Sequence, residues 1–325
     1  MSVASVVQFP EVLKKDLEHC TGTFRAGGTD LTERRRRGLH HGPVVDLSRT
    51  PELREIERTR SGGLRIGALV TIAQLATDPR IVAAYPGLAE AAAGLATPQV
   101  RARATVGGNL LQEVRCWYFR SPEFTCAKKG GSGCPARTGD HLYHAIFDLG
   151  PCIAPHPSTL AAAFLAFGAQ VKVWGDDTLR SMRAVIGSGK TASQTHTLAA
   201  GELLESIELP KPVVGERSAY VRTIARSRAE WPLAEVVVRL EQDDEGKVLR
   251  SQVTAGGVAS VPIPLKGVMK ALAGKGPDDF AEAAASAAAG SRPLDMNGYK
   301  KDLLVGTVLE ALERAAAGTP AERVR

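Results

Sequence analysis

Four of the five cysteines stand in one stretch, Cys116, Cys126, Cys134 and Cys152, spaced C-x9-C-x7-C-x17-C. Four thiols so grouped suit a soft metal or an iron–sulfur cluster. Zinc sites bring cysteines in tight pairs, about two to four residues apart, and such pairs are missing here. The wide spacing suits a cubane held by a wrapped loop, which Gly130, Gly131 and Gly133 would help to bend. On spacing alone, metal ligation and unrelated free thiols both stay open. Cys20 stands apart and reads as a buried or free thiol. Just before the cysteines runs Thr105-Val106-Gly107-Gly108-Asn109-Leu110, where a glycine pair beside an amide suits backbone pressed against a phosphate. Ala26-Gly27-Gly28-Thr29-Asp30-Leu31 carries the same chemistry about eighty residues earlier. Two such loops suit one diphosphate gripped from two sides, next to a metal centre.

Other chemistries find less support. The Gly-x-Gly-x-x-Gly fingerprint of a dinucleotide fold is absent. Gly187-Ser188-Gly189-Lys190-Thr191 imitates the end of a P-loop, but Ala184 stands where its first glycine is needed, so a surface loop is expected. His144 and His156 lie near the cysteines and read as structural. No Ser-His-Asp set, His-Glu-x-x-His or pair of catalytic carboxylates is evident, so no catalytic residue is assigned. The pattern is that of an electron carrier.

The elements that must position these loops read as α+β. Strands are expected at 44–47, 64–67, 169–174, 206–209, 220–224, 233–240 and 252–258, and helices at 72–75, 81–95, 160–167, 278–289 and 299–316. Asp78-Pro79 marks a helix start, and Thr29 or Asp30 suits a cap for the basic segment that follows it. Pro210-Lys211-Pro212 with Gly215 is the best domain boundary. With 325 residues the chain has room for two cores. The net charge of +6 peaks at Arg34 to Arg37, but aromatics make up only 5%, so no nucleic-acid partner is expected and a solvated face or cofactor rim is. No apolar run approaches the roughly 20 residues of a membrane span. Residues 1–10 lack the features of a signal peptide, which makes the cytoplasm the default and the periplasm possible with a partner's help.

Several segments, taken in order, resemble one family. They are 26–31, Leu64-Arg65-Ile66-Gly67-Ala68 with Thr71, Gln99-Val100-Arg101 leading into 104–110, His156-Pro157-Ser158, Gly201-Glu202-Leu203-Leu204 and Ala255-Gly256-Gly257-Val258-Ala259. The chain resembles the FAD-binding (medium) subunit of the molybdenum hydroxylases, the xanthine dehydrogenase and carbon monoxide dehydrogenase group. Its cysteine stretch, from Arg115-Cys116 and Tyr118-Phe119 onward, is similar to an insertion in the 4-hydroxybenzoyl-CoA reductase β subunit and in the periplasmic aldehyde oxidoreductase flavin subunit. There the insertion carries a [4Fe–4S] cluster beside FAD.

The resemblance implies a two-part FAD-binding domain of the vanillyl-alcohol-oxidase (PCMH) type over 1–213, with the insertion at about 112–154. A smaller α/β C-terminal domain of the carbon monoxide dehydrogenase flavoprotein type would occupy 214–325. It implies FAD contacts from Ala26, Gly27, Gly28, Thr29, Asp30, Leu31, Thr105, Gly108, Asn109, Ser158 and Arg222, and cluster ligation by the four cysteines. Thr159 departs from the usual Asp, and Arg222 from a frequent Lys, which changes donor geometry. The implied partners are a large molybdenum-cofactor subunit and a small subunit with two [2Fe–2S] clusters, in a heterotrimer that can pair into a dimer of heterotrimers. The implied role is electron transfer for chemistry on an aldehyde, aromatic or N-heterocyclic substrate held by the large partner. A stand-alone flavin oxidoreductase and a zinc-binding interaction protein are the rival readings.

Overall fold

The computed structural model describes residues 6–8 and 22–324; Cys20 and most of 1–10 lie outside them. Among the described residues the strands form three sheets. The first is parallel, in the order β1-β3-β2, from β1 (Val6–Gln8), β2 (Thr23–Arg25) and β3 (Val44–Asp46). The second is antiparallel, β4-β5-β8-β6-β7, from β4 (Ile56–Arg58), β5 (Leu64–Gly67), β6 (Gln170–Val173), β7 (Leu179–Ser181) and β8 (Leu204–Leu209). The third, β12-β11-β10-β9, is built from β9 (Arg217–Thr223), β10 (Ala234–Gln242), β11 (Val248–Gly256) and β12 (Ile263–Pro264).

The strand period of two supplies the core of the second sheet. Leu64 and Ile66, Val171 and Val173, and Ile207 and Leu209 all enter one cluster, closed by Leu88 and Phe164 from helices. The third sheet carries its own core. In β10 the run Ala234 to Val238 is buried at every position, because the helix Lys300–Ala317 packs on this strand and so does the helix Thr159–Ala166. That second helix is apolar on nearly all sides and buried at every position but Leu165. Ser158 starts it, its Oγ accepting from Ala161 N at 3.0 Å. Between helices Val106–Leu110 and Thr159–Ala166 the cysteine stretch wraps into the short helix Trp117–Arg120 and two 3-10 turns, around a small core of Tyr118, Ala136, Ala145 and Ile153.

The α+β expectation stands, and the expected strands are present within a few residues. Two helices differ. The span 81–95 divides into Pro79–Ala84 and Pro86–Gly94, because Pro86 has no N–H to continue the first helix. Asp78 caps the first of these, accepting from Arg80 N at 2.9 Å. The span 278–289 keeps a helix only at Phe280–Ala285, flanked by 3-10 turns. Ser286 Oγ donates to Ala283 O at 2.8 Å, a local bond that competes with further helix.

Candidate cofactor channel and cysteine chamber

The two glycine loops meet, and in each pair the glycines divide the work. A Cβ on Gly27 would lie 1.9 Å from Arg103 O, and one on Gly107 would lie 2.9 Å from the Ala68 Cβ. These two glycines let one loop pack on the backbone before the other, and on the second sheet. Gly28 sits at φ +74°, a conformation that favours glycine. Gly108 is the open one: a Cβ there would meet only Thr105 Oγ1 within 4 Å, at 3.0 Å, and the rest faces a channel.

That channel runs through three sections that share walls. The first is lined by Ala26 to Leu31, Thr105 and Gly108, with Leu203 and Leu204 beneath. The second shares Thr29, Asp30, Gly108 and Gln112 with it and adds Asn109, Thr97, Arg222 and Trp231. The third shares Arg115, Pro157 and Trp231 with the second and ends at His144 and Cys116. Three arginines on these walls, Arg34, Arg115 and Arg222, each keep a buried Nε with no partner in the protein. Orphaned cationic donors along a long channel fit an anionic, polar and elongated ligand.

Asp30 welds the channel to the cysteine stretch. It sits at the start of the helix Leu31–Arg36, yet its side chain makes no cap bond, which corrects the capping expectation. Its carboxylate instead accepts from Arg120 at 2.7 Å, pairs with Arg115 at 3.0 Å and accepts from Glu113 N at 3.1 Å. Burial works against its charge, but the two guanidiniums and the Glu113 amide outweigh it and hold the carboxyl below its ordinary 3.8. The stability this adds is fully present above about pH 4 and is lost as pH falls through the lowered value. Arg120 is 5% exposed and also bonds Glu33, Val114 O and Glu113 O. We expect Arg120→Ala to destabilise the fold by about 3 kcal/mol, because it strands Asp30 without its best partner. A urea melt at neutral pH measures this, and a loss below about 0.5 kcal/mol would refute the weld.

All four cysteines line one chamber next to the channel, with Tyr118, Phe119 and Lys128 in its wall. Gly130, at φ +88°, turns the loop, and Gly131 N donates to Cys126 O at 2.9 Å. Burial pushes the Cys116 thiol up to about 11 and raises Cys152 as well, so without a bound cation both are neutral thiols. Among the described residues no three His, Cys, Asp or Glu side chains gather tightly enough for a single metal ion. A zinc ion at about 2.3 Å from each sulfur would hold thiolates about 3.8 Å apart. An all-sulfur donor set suits a soft metal centre. His144 and His156 are buried, and burial lowers both to about 4. His144 Nε2 lies 3.3 Å from Cys116 Sγ and supports that thiol from behind.

The profile described as "FAD binding domain in molybdopterin dehydrogenase" matches residues 1–212. The chain belongs to this family of FAD-binding subunits of molybdenum hydroxylases. It is 35% identical over 246 residues to the aldehyde oxidoreductase FAD-binding subunit PaoB of Escherichia coli K12, covering 74% of this chain and 75% of that protein. In fold it matches a chain of quinoline 2-oxidoreductase from Pseudomonas putida 86 with a TM-score of 0.73, at 21% identity and 98% coverage of both chains. A chain of carbon monoxide dehydrogenase from Hydrogenophaga pseudoflava gives 0.73 as well, at 22% identity and 97% of both. An oxidoreductase subunit that binds FAD is therefore the coarse identity.

Three residues of this region are engaged by the protein itself. Ser158 is 1% exposed and stands behind the wall: its Oγ donates to Asn109 Oδ1 at 2.6 Å and caps the helix behind. It orients Asn109, whose Nδ2 is then the group left for a ligand. Thr159 lines the channel but gives its hydroxyl to the buried Glu235 at 2.7 Å, and Tyr220 OH donates to the same carboxylate. Arg222 donates from its two terminal nitrogens to Gly94 O and Glu230 O, tying the Trp231 loop to the channel wall. A lysine has no such fork. Sequence reasoning passed over Gln112, Arg115 and Trp231. Trp231 is half exposed and its ring lies 4.4 Å from the Arg115 guanidinium, and an isolated tryptophan in a polar loop was a usable signal.

Proposed function

We propose that the chain is the FAD- and [4Fe–4S]-containing electron-transfer subunit of a heterotrimeric molybdenum hydroxylase or reductase. Its insertion would then match that of the 4-hydroxybenzoyl-CoA reductase β subunit and the periplasmic aldehyde oxidoreductase flavin subunit. The observation that carries this reading is the double role of Cys116, which lines both the channel and the chamber. A cluster held there stands at the edge of the flavin site, as a relay requires. When bound, FAD exchanges electron pairs with an external donor or acceptor and single electrons with metal centres. The chain's own residues bind and tune. The loops 26–31 and 105–109 hold the diphosphate, Arg115 and Arg222 face it with cationic donors, and Cys116, Cys126, Cys134 and Cys152 ligate the cluster.

The proposed domains are 1–213 for FAD, with the insertion at about 112–154, and 214–325 for a second unit. They are supported by the Pro210-Lys211-Pro212 link between β8 and β9 and by two cores that divide mostly along it, with Tyr220, Val237 and Val324 joining the first and Ile146 the second. The proposed partners are a large molybdenum-cofactor subunit acting on an aldehyde, aromatic or N-heterocyclic substrate and a small 2×[2Fe–2S] subunit, with pairing of heterotrimers. No described helix is long and apolar enough to cross a membrane. The complex would work in the cytoplasm, or in the periplasm after export with a partner.

Anaerobic purification of the natively expressed protein is the test. The expected outcome is flavin absorption with a broad thiolate-to-iron shoulder and two additional subunits on size exclusion. A chain that is fully active alone, or one that holds zinc without iron, returns the assignment to one of the rival readings.

A further inference from the structure

Lys300 is wholly buried at the start of the helix Lys300–Ala317. Its ammonium donates to Gly257 O at 2.6 Å, His144 O at 3.1 Å and Tyr143 O at 3.2 Å, so all its donors are used. Its charge is another matter. Burial alone, with no acid beside it, pulls its pKa down to about 7. A cation taken out of water without a counter-ion carries a desolvation cost that a neutral side chain of the same size would avoid. Two of its three carbonyls belong to the cysteine stretch, and one of those residues, His144, sets its ring against Cys116. Lys128 lines the chamber itself and anchors to Ala192 O at 3.2 Å. One ammonium thus lies in the wall around the four thiols and the other behind the Tyr143-His144 segment whose ring meets Cys116, in a protein whose described ion pairs leave both of them out.

We propose that Lys300 and Lys128 are the counter-charges of the anionic centre that the four cysteines hold, and that they set its reduction potential. This rests on the cluster assignment above. A four-iron cluster on four thiolates is an anion, and the electron it accepts makes it more negative. A fixed cation stabilises the reduced form more than the oxidised one and so raises the potential. The step is a one-electron transfer in which no bond forms or breaks. Both lysines act through the field at the cluster, which makes them positioning residues for charge. A purely structural Lys300, a clamp on three carbonyls, would change stability and leave the potential alone.

The test is a dithionite titration of the loaded complex, following the signal of the reduced cluster by electron paramagnetic resonance and the flavin bands in the same sample. Lys300→Met and Lys128→Met should each move the cluster midpoint to more negative potential. The double variant should move it further, with a smaller change at the flavin, and Lys128→Arg should stay at the wild-type value. If Lys300→Met does not accumulate, Lys300→Gln keeps donors for the carbonyls and removes the charge. Unchanged midpoints in Met variants that retain iron and sulfide overturn the proposal and leave the cluster standing. Wild-type protein without iron and sulfide removes the cluster assignment itself.

Discussion

Serine in place of Cys116, Cys126, Cys134 or Cys152 is expected to remove iron and acid-labile sulfide together, in nearly equal amounts. The four thiols share one chamber, so a cluster held there as proposed would draw its ligands from all four. A hydroxyl oxygen is a harder, poorer ligand for this iron than a thiolate. Burial adds to the effect. The Cys116 thiol lies near 11 without metal, so deprotonation depends on the cluster, and an alkoxide in the same wall is far less accessible. Each variant should drop from about four irons per chain to below about one. FAD should largely survive in the Cys126, Cys134 and Cys152 variants, since those residues do not line the channel. Cys116→Ser alters a residue in both walls, and partial flavin loss is expected there. Cys20→Ser should leave iron and sulfide unchanged. Iron and sulfide assays on anaerobically prepared protein decide the matter, and a Cys126→Ser variant with full iron would sink the four-ligand assignment.

The second large effect separates the two glycines at 107 and 108. Gly108→Val should abolish stoichiometric FAD while the chain stays folded. Its added atoms meet one side-chain oxygen, Thr105 Oγ1 at 3.0 Å, which must give way slightly, and otherwise point into the channel, so most of the cost falls on the cofactor. Overpacking of about 1–3 kcal/mol, mostly falling on the bound state, predicts an affinity loss of up to about 100-fold. Gly107→Val should act on the fold instead, since even a Cβ there comes within 2.9 Å of Ala68. We expect a lower melting temperature from it, with flavin lost only as the protein unfolds. Flavin absorbance per chain and a thermal melt, read together on both variants, distinguish the outcomes. Full flavin in Gly108→Val would place the diphosphate elsewhere.

Some of this was legible in residue types because the type is itself the requirement. A glycine pair advertises close backbone approach, and four cysteines in one stretch advertise a soft donor set whatever surrounds them. Alternation in 64–67 and 206–209 carried the second sheet, since a strand with one buried face writes its period directly. Partners distant in sequence stayed hidden. Asp30 looked like a helix cap, the commonest use of an aspartate before a helix, while its real partners Arg115 and Arg120 lie some ninety residues on. Ser158 was legible as part of a recurring motif, whereas its bonds to Asn109 and to the helix it caps were not. Arg222 read as a lysine replacement near the flavin, yet its fork is occupied by two backbone carbonyls.

By itself the sequence determined the class of chemistry, a diphosphate-binding flavoprotein with a four-thiol stretch, and the α+β order of its elements. Those properties follow from local geometry and side-chain type, which a linear reading contains. Only the tertiary structure decided which glycine packs and which faces the channel, that Cys116 belongs to both cavities, and that Lys300 reaches carbonyls 156 and 157 positions away with no acid beside it. Direction, burial and charge compensation are properties of a folded neighbourhood. They arise when residues far apart in the chain exclude water together, and no local pattern records them.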